Sequence, residues 1–224
     1  MSTWAVLVAA GRGERLGVDR PKAFAKLRDR PLLAESLARL DDSPWVDAIV
    51  VAAPRDWEEP SILLAEELGC SKVSACVTGG ETRADSVRNG VAEVPPDAVA
   101  ILVHDAARPV VPEEVVERVL AALGEGWDGA VPAMPVADTV KRVRGDQILE
   151  TIDRSDLVVT QTPQAFVAPV LREALGGDVA GATDCASLVE ARGGRVRIVR
   201  GDPRLLKVTT ERDLELVETL LTRT

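Results

Sequence analysis

The sequence predicts an α/β fold: a single, Rossmann-like, mostly parallel sheet with helices on both faces, plus a protruding β-hairpin arm. Short apolar runs alternate with helix-like runs over most of the 224 residues. Buried strands that alternate with helices are typical of a parallel sheet covered on both sides. The chain contains no internal repeat, low-complexity tract or convincing interdomain linker, so we expect one domain spanning residues 1–224.

The first half of the chain predicts four strand–helix pairs. The strands are apolar runs too short to be helices, and the helices carry apolar residues three or four positions apart, as at Leu33, Leu37 and Leu40. In chain order the predicted elements are strand Trp4–Ala10, helix Leu32–Leu40, strand Ile49–Ala53, helix Glu58–Leu68, strand Val73–Val77, helix Thr82–Val94, strand Ala98–His104 and helix Pro112–Leu123.

The regular alternation stops after a further strand, Ala130–Pro135. Two short alternating stretches in residues 138–154 flank Arg144-Gly145-Asp146, a plausible turn, and predict a hairpin. This hairpin is too polar for the core, so it is either a solvated excursion or an arm that packs on a second subunit. The remaining predicted elements are strands Val158–Thr162 and Val196–Val199 and helices Val167–Leu175, Asp184–Ala191 and Glu211–Leu221, the last capped by Thr210.

Composition excludes several classes of function. Lys and Arg total 27 against 36 Asp and Glu, a net charge of −9, which argues against non-specific binding to nucleic acid or membranes but not against a phosphorylated substrate. No apolar run approaches the roughly 20 residues that span a bilayer, and the short run Trp4–Ala10 lacks the basic stretch of a signal peptide. Three cysteines without CxxC spacing argue against a disulfide framework or structural zinc and favour a cytoplasmic location.

The single histidine, His104, limits the chemistry further. A metal site built from several histidines is impossible, and any Ser-His or Cys-His mechanism would need this residue. A histidine at the end of a buried strand is more often a hydrogen-bonded core residue than a general base, and we favour that interpretation.

The loop after the first strand is the most informative stretch. The strand ends in Ala9, Ala10 and Gly11, whose small size lets a base or a phosphate approach the backbone. Four cations follow within eleven residues: Arg12, Arg15, Arg20 and Lys22. The glycine spacing matches neither the Rossmann fingerprint nor a Walker A loop. The cations favour phosphate binding over a surface turn of solvated arginines.

A carboxylate is delivered to the carboxyl end of a later strand. Asp105 follows the apolar run at this edge, where ligands of open α/β sheets bind, so it could hold Mg²⁺ or a sugar hydroxyl, or simply cap a helix. Arg108 could pair with Asp105 or with a substrate. These alternatives stay open from the residues alone.

Two further stretches carry weaker signals. Gly79 and Gly80 form a tight turn before Arg83, Asp85 and Ser86, whose polar groups could contact a base or could serve only the start of a helix. Near the C-terminus, the segment Leu206-Lys207-Val208-Thr209 places one lysine at the end of a short apolar run, which alone indicates little.

Together these stretches resemble the 2-C-methyl-D-erythritol 4-phosphate cytidylyltransferase family, in order and over essentially the whole chain. The segments that carry the resemblance are AAGRGERLGVDRPK, GGETRADSV, VHDAARP, DTVK, DR followed by TPQAF, TDCASLVE and KVT. The first and third of these alone would indicate only a nucleotidyltransferase of the broader glycosyltransferase-A-like type. The combination of HDAARP, TPQ and KVT is more specific.

The resemblance implies a reaction: CTP and methylerythritol phosphate give a CDP-alcohol and pyrophosphate, with Mg²⁺. It also implies residue roles. Residues expected to hold the cytidine are Ala9, Ala10, Gly11, Gly79, Gly80 and Ser86. Those expected to stabilise the reacting phosphates are Arg15 and Lys22 on the nucleotide side and Arg154 and Lys207 on the acceptor side. Those expected to contact the acceptor are Asp105, Arg108, Thr139, Thr183 and Thr209, with Asp105 also facing the metal.

The resemblance also implies a homodimer. Thr139 and Arg154 lie on the 138–154 hairpin, which in this family reaches into the active site of the neighbouring subunit. Four positions depart from the family pattern: Val8, Ala23, Cys185 and Leu205. A cytidylyltransferase for another polyol phosphate, such as ribitol 5-phosphate, and a non-catalytic nucleotide-binding module are the alternatives.

Overall fold

The computed structural model describes residues 2–11, 13 and 20–222. The strands are β1 Thr3–Val8, β2 Lys26–Leu27, β3 Arg30–Pro31, β4 Ala48–Ala53, β5 Val73–Thr78, β6 Ala100–Asp105, β7 Gly129–Pro135, β8 Val140–Arg144, β9 Gln147–Ile152, β10 Val158–Thr160, β11 Gln164–Val167 and β12 Val196–Arg200. The helices are α1 Leu32–Asp42, α2 Glu58–Glu67, α3 Arg83–Ala92, α4 Glu113–Gly124, α5 Ala168–Leu175, α6 Cys185–Glu190 and α7 Glu211–Thr222, and a 3₁₀ turn spans Lys22–Phe24.

The predicted fold class is confirmed. Eight strands form one sheet in the order β10-β7-β11-β6-β1-β4-β5, with β12 paired to β7. Strands β1, β4, β5 and β6 pair in parallel, as do β7 and β12, whereas β10 and β11 pair antiparallel to their neighbours. Every predicted strand and helix is present, with its ends moved by at most two residues.

Two parts of the fold were not predicted. Strand β11 lies antiparallel between β6 and β7, in a stretch where the sequence predicted only the start of a helix at Val167. A two-residue hairpin, β2–β3, follows the 3₁₀ turn. Neither changes the fold class; β11 is one of two strands, with β10, that make the sheet mixed.

Side chains alternate between the two faces of the sheet and form two cores. Leu7 packs in a core with α1, α2 and α4, whereas its neighbour Val6 packs in a core with α3, α5 and α6. This is the arrangement expected when both faces of a sheet are covered by helices. Each face therefore buries its own apolar layer.

A third, smaller core docks the C-terminal helix. Val217 of α7 packs with Leu27 and Leu32 and with Val208. This cluster ties the segment that follows Lys22 to the segment that contains Lys207. The two predicted cation-bearing segments are thus supported by the same helix.

The predicted hairpin is formed by β8 and β9, which within the described part of the chain pair only with each other. Nearly all of its residues are exposed in the described chain. Among the described residues, no helix is both long enough and apolar enough to cross a membrane.

Candidate active site

A cavity of about 490 Å³ opens at the carboxyl ends of β1 and β6, beside the start of α3. Several predicted site residues line it together: Ala9, Ala10, Gly11, Lys22, Gly80, Ser86, Asp105, Lys207 and Thr209. Gly79 lines an adjoining cavity that shares Ala10 and Gly80 with the first. Segments far apart in sequence therefore meet at the sheet edge where ligands bind in open α/β folds.

Close backbone packing shapes the end of the cavity that contains the predicted nucleotide residues. The amides of Ala9 and Gly79 donate to the carbonyls of Ala52 and Ala53 on the intervening strand β4, at 2.9 and 2.7 Å. A Cβ on Gly79 would lie 2.2 Å from the Cβ of Ala10. Glycine is therefore required at residue 79 by packing, before any contact with a base is considered.

Ser86 stabilises the same turn. Its Oγ accepts a hydrogen bond from the amide of Gly80 at 3.0 Å and donates to the carbonyl of Thr82 at 2.9 Å. Thr82 caps α3: its hydroxyl accepts from the Asp85 amide, and the Asp85 carboxylate accepts from the Thr82 amide. The helix-start interpretation of the GGETRADS segment is confirmed, and the same capping chemistry builds a wall of the cavity. Contact of this segment with a base stays a prediction.

Asp105 lies between two cations. Its Oδ1 accepts from Arg83 Nε at 2.7 Å and its Oδ2 from Lys207 Nζ at 2.6 Å. Burial alone would raise the pKa of Asp105, but the charges of Arg83 and Lys207 outweigh it and hold that pKa well below its usual range. The carboxylate therefore stays ionised. Arg83 also lines the cavity, and the sequence had given it no role beyond a possible base contact.

Arg108 lies behind this cluster and outside the lining of the cavity. Its Nη1 donates to the carbonyl of Leu205 at 2.6 Å and its Nη2 to that of Thr160 at 3.5 Å. Leu205, one of the departures from the family pattern, is fully buried and serves Arg108 through its backbone. Contact of Arg108 with the substrate stays a prediction.

His104 is sealed within the core, as the sequence favoured. Its Nε2 must donate to the carbonyl of Arg108, 3.0 Å away, because a carbonyl can only accept. Its Nδ1 then accepts from Thr162 Oγ1 at 3.1 Å, and that hydroxyl accepts from the Asp105 amide at 3.1 Å. The side chain is fully buried and does not line the cavity. It holds the backbone that carries Asp105 and Arg108.

Three further predicted residues do not line the described cavity. Thr183 is exposed before α6, and Thr139 and Arg154 are exposed at the two ends of the hairpin, where Arg154 donates to the carbonyl of Ala137. Arg15 lies outside the described residues. Thr209 does line the cavity, but its hydroxyl donates to Asp213 Oδ2 at 2.8 Å, at the start of α7.

The side chains of the described residues do not by themselves fit a metal ion. Both oxygens of Asp105 accept from cations, and a divalent ion there would have to displace them. No group of three or more His, Cys, Asp or Glu side chains in residues 2–11, 13 and 20–222 could hold a metal. The metal role predicted for Asp105 gains no support from this arrangement.

A mostly parallel sheet with small residues and cations around a cavity at its carboxyl edge fits an α/β nucleotidyltransferase. Residues 3–223 match the family model of 2-C-methyl-D-erythritol 4-phosphate cytidylyltransferase. The chain belongs to this family.

Relatives and solved structures agree with this assignment. The chain is 46% identical to the 2-C-methyl-D-erythritol 4-phosphate cytidylyltransferase of Saccharopolyspora erythraea, with 99% of this chain and 100% of that protein covered. It is 45% identical to that of Nocardia farcinica, covering 99% and 95%. A crystal structure of the enzyme from Thermus thermophilus superposes with a TM-score of 0.78 at 34% identity, covering 97% and 98%. One of a 4-diphosphocytidyl-2C-methyl-D-erythritol synthase superposes with 0.82 at 36% identity, covering 98% of each chain.

Proposed function

We propose that this protein transfers the cytidylyl group of CTP to 2-C-methyl-D-erythritol 4-phosphate, giving 4-diphosphocytidyl-2-C-methyl-D-erythritol and pyrophosphate in non-mevalonate isoprenoid precursor biosynthesis. The family match over residues 3–223 carries the proposal. The cavity supports it, because Lys22 and Lys207 reach it from segments far apart in sequence, as a reaction between two anions requires.

The chemistry needs no general base. A phosphate oxygen of the acceptor, already ionised at neutral pH, bonds to the α-phosphorus of CTP while the bond from that phosphorus to the β-phosphate oxygen breaks. The barrier is repulsion and alignment, so catalysis is positioning and electrostatic stabilisation. This fits a site whose only neighbouring histidine is buried and fully hydrogen bonded.

The proposed residue roles are those that the family resemblance implies. Ala9, Ala10, Gly11, Gly79, Gly80 and Ser86 form the cytidine end. Arg15 and Lys22 stabilise the charge at the α-phosphate. The acceptor is contacted by Lys207, Asp105, Arg108, Thr183 and Thr209, together with Thr139 and Arg154.

Mg²⁺ is proposed as the cofactor, although the described side chains do not form a site for it. Magnesium is commonly held by substrate phosphates and water with few protein ligands, so CTP itself would supply most of the coordination. Chelation with EDTA should abolish pyrophosphate release, and added Mg²⁺ should restore it. Full activity in EDTA would refute the metal requirement.

A homodimer through the 138–154 hairpin is proposed because the arm is incompletely packed in one chain. Val143, Ile148 and Leu149 on the hairpin are 58, 60 and 44% exposed. Exposed apolar surface of this kind marks interaction sites. Arg154 does not line the cavity of its own chain, and reaching into a neighbour's cavity would give it the acceptor role. We also propose a cytoplasmic location, on the separate ground that the three cysteines show no disulfide framework.

The activity is tested by pyrophosphate release over a grid of nucleotides and acceptors. We expect turnover with CTP and 2-C-methyl-D-erythritol 4-phosphate. Turnover with ribitol 5-phosphate and none with methylerythritol phosphate would replace the acceptor, and binding of CTP without turnover on any acceptor would favour the non-catalytic module. Lys22→Ala should lower kcat by about 10²–10³, as for other donors that stabilise transition-state charge. A loss confined to CTP affinity would refute the proposed role of Lys22.

Subunit mixing tests the shared site. Lys22→Ala and Arg154→Ala chains are each expected to be inactive as homodimers. In a heterodimer, one cavity has both native residues, so a statistical equimolar mixture should regain about a quarter of wild-type activity. Verified heterodimers without activity would refute the shared site.

A further inference from the structure

One carboxylate in the cavity is shared between two cations that come from different elements. Arg83, the first residue of α3, binds Oδ1 of Asp105, and Lys207, from the loop before α7, binds Oδ2. The two bonds are similarly short, at 2.7 and 2.6 Å. Since one carboxylate carries a single negative charge, the cluster keeps a net positive charge beside the cavity.

The two cations differ in how they face the cavity. The side chain of Asp105 is 9% exposed and that of Arg83 is 21% exposed, whereas that of Lys207 is 39% exposed. Lys207 can therefore move toward a ligand while Arg83 stays in place. An ammonium on a flexible stem is also more easily redirected than a guanidinium held by its Nε.

The outer end of Arg83 has weak partners only. Nη1 lies 3.8 Å from the buried thiol of Cys185, and Nη2 is buried with no hydrogen-bond partner among the described residues. Asp105 is the one carboxylate that forms an ion pair with Arg83 in this part of the chain. The guanidinium charge is thus available to Asp105 rather than divided between two acids.

We propose that Arg83 is a positioning residue for the acceptor phosphate: it keeps Asp105 compensated, so that the ammonium of Lys207 can leave the carboxylate and bind the phosphate. This inference rests on the proposed function for the identity of the acceptor. Without Arg83, Asp105 would be a buried carboxylate whose main counter-ion is Lys207. Removing the lysine from it would then leave an uncompensated buried charge, which is costly. Lys207 would stay on Asp105, and the acceptor would bind more weakly.

The test is a double-mutant cycle on acceptor affinity, measured by calorimetric titration of 2-C-methyl-D-erythritol 4-phosphate without CTP. Arg83→Gln should raise the Kd about tenfold, within the range of couplings found in one salt-bridge network. In a Lys207→Gln background the same change should alter the Kd less than about twofold, because Arg83 acts through Lys207. An equal penalty in both backgrounds would overturn the proposal.

Controls separate positioning from general stability. Arg88→Gln, on the same helix, removes hydrogen bonds to the carbonyls of Leu175 and Gly177 and an exposed ion pair with Asp85, and it should leave the acceptor Kd unchanged. The Kd of CTP should change little in Arg83→Gln. Equal weakening of both substrates would indicate a collapsed cavity and would count against the proposal. Arg83→Lys, which keeps a cation, should recover most of the acceptor affinity.

A second variant applies if Arg83→Gln does not fold. Cys185→Asp places a carboxylate beside Nη1 and should draw Arg83 away from Asp105, raising acceptor Kd severalfold with Lys207 present but not in Lys207→Gln. Cys185→Ser is the neutral control and should be silent. A Cys185→Asp effect that persists without Lys207 would overturn the proposal. Because the cycle needs no turnover, a wild-type protein that binds the acceptor but releases no pyrophosphate would refute the proposed function alone.

Discussion

Lowering the pH from 7 to 4 should cost the folded state about 3 kcal/mol through His104 alone. The imidazole is fully buried at the end of β6, and its two nitrogens have opposite roles: Nε2 donates to the carbonyl of Arg108 and Nδ1 accepts from Thr162. A protonated ring would put a donor where Nδ1 now accepts. Desolvation by burial, only partly offset by the charge of Asp105, lowers the pKa of His104 from 6.5 to about 4.

The direction in which pH changes stability depends on whether the folded or the unfolded state binds the proton. Between pH 6.5 and about 4 the unfolded chain protonates His104 while the folded chain does not, so protons stabilise the unfolded state. The contribution is complete above the unfolded pKa and is lost as the pH falls toward the folded pKa. A depression from 6.5 to about 4, at roughly 1.4 kcal/mol per pH unit, gives the loss of about 3 kcal/mol near pH 4.

The measurement is favoured by the presence of one histidine in the chain. In the proton NMR spectrum of untagged protein, the imidazole Hε1 resonance needs no assignment because there is only one histidine. The midpoint of its pH titration should lie near the folded-state pKa of His104. Urea unfolding of the wild type and of His104→Gln, measured between pH 8 and pH 4, gives the free energy of unfolding of each protein at each pH. The glutamine amide can donate to Arg108 but does not titrate, so the stability advantage of wild type should shrink by about 3 kcal/mol. An Hε1 midpoint near 6.5, or parallel stability curves, would refute the reasoning.

Two further predictions concern the wall of the cavity. Gly79→Ala should lower the free energy of unfolding by about 1–3 kcal/mol and weaken CTP binding, because the new Cβ would lie 2.2 Å from the Cβ of Ala10. Gly124→Ala is the control, since no atom lies within 4 Å of its Cβ position. Equal melting temperatures for the two variants would contradict the packing argument. Thr82→Ala should lower the free energy of unfolding by about 1 kcal/mol, because it removes the hydroxyl that caps the Asp85 amide. Thr82→Ser keeps a hydroxyl and should leave stability nearly unchanged. Similar losses for both variants in chemical denaturation would show that the cap is not the cause.

The sheet could be predicted because its strands are evident from their own composition. Buried parallel strands are continuous apolar runs, and those runs located every predicted strand to within two residues. Strand β11 could not be found this way. It is four residues long, begins with Gln164, and exists because β6 and β7 offer it backbone partners on both sides. A strand defined mainly by its neighbours leaves little trace in its own sequence.

The site was predictable in part of its members and not in their pairing. The small residues after β1 and Lys22 were indicated by the sequence itself, whereas Ser86, Lys207 and Thr209 were assigned by the family resemblance; each of these described residues lines the cavity. The ion pairs of Asp105 join residues 22 and 102 positions apart, and no spacing rule reaches that far. Arg83 was given only a possible contact with a base, because nothing in its neighbouring sequence indicates a partner at the end of β6. Only the fold shows that its guanidinium points back to the end of β6.

The cavity explains how an acidic protein can receive two anions. The chain carries a net charge of −9, but the described lining of the cavity holds three cations, Lys22, Arg83 and Lys207, against two carboxylates, Glu81 and Asp105. Of these two carboxylates, Glu81 is exposed to solvent. The acidic residues elsewhere on the surface act from farther away, and exposed charges separated by more than about 8 Å are largely screened at physiological salt. The distant acidic surface therefore counts little at the reacting phosphates. Under the proposal above, their binding depends on how the one buried carboxylate of the described lining, Asp105, divides its charge between Arg83, which is held in place, and Lys207, which can move.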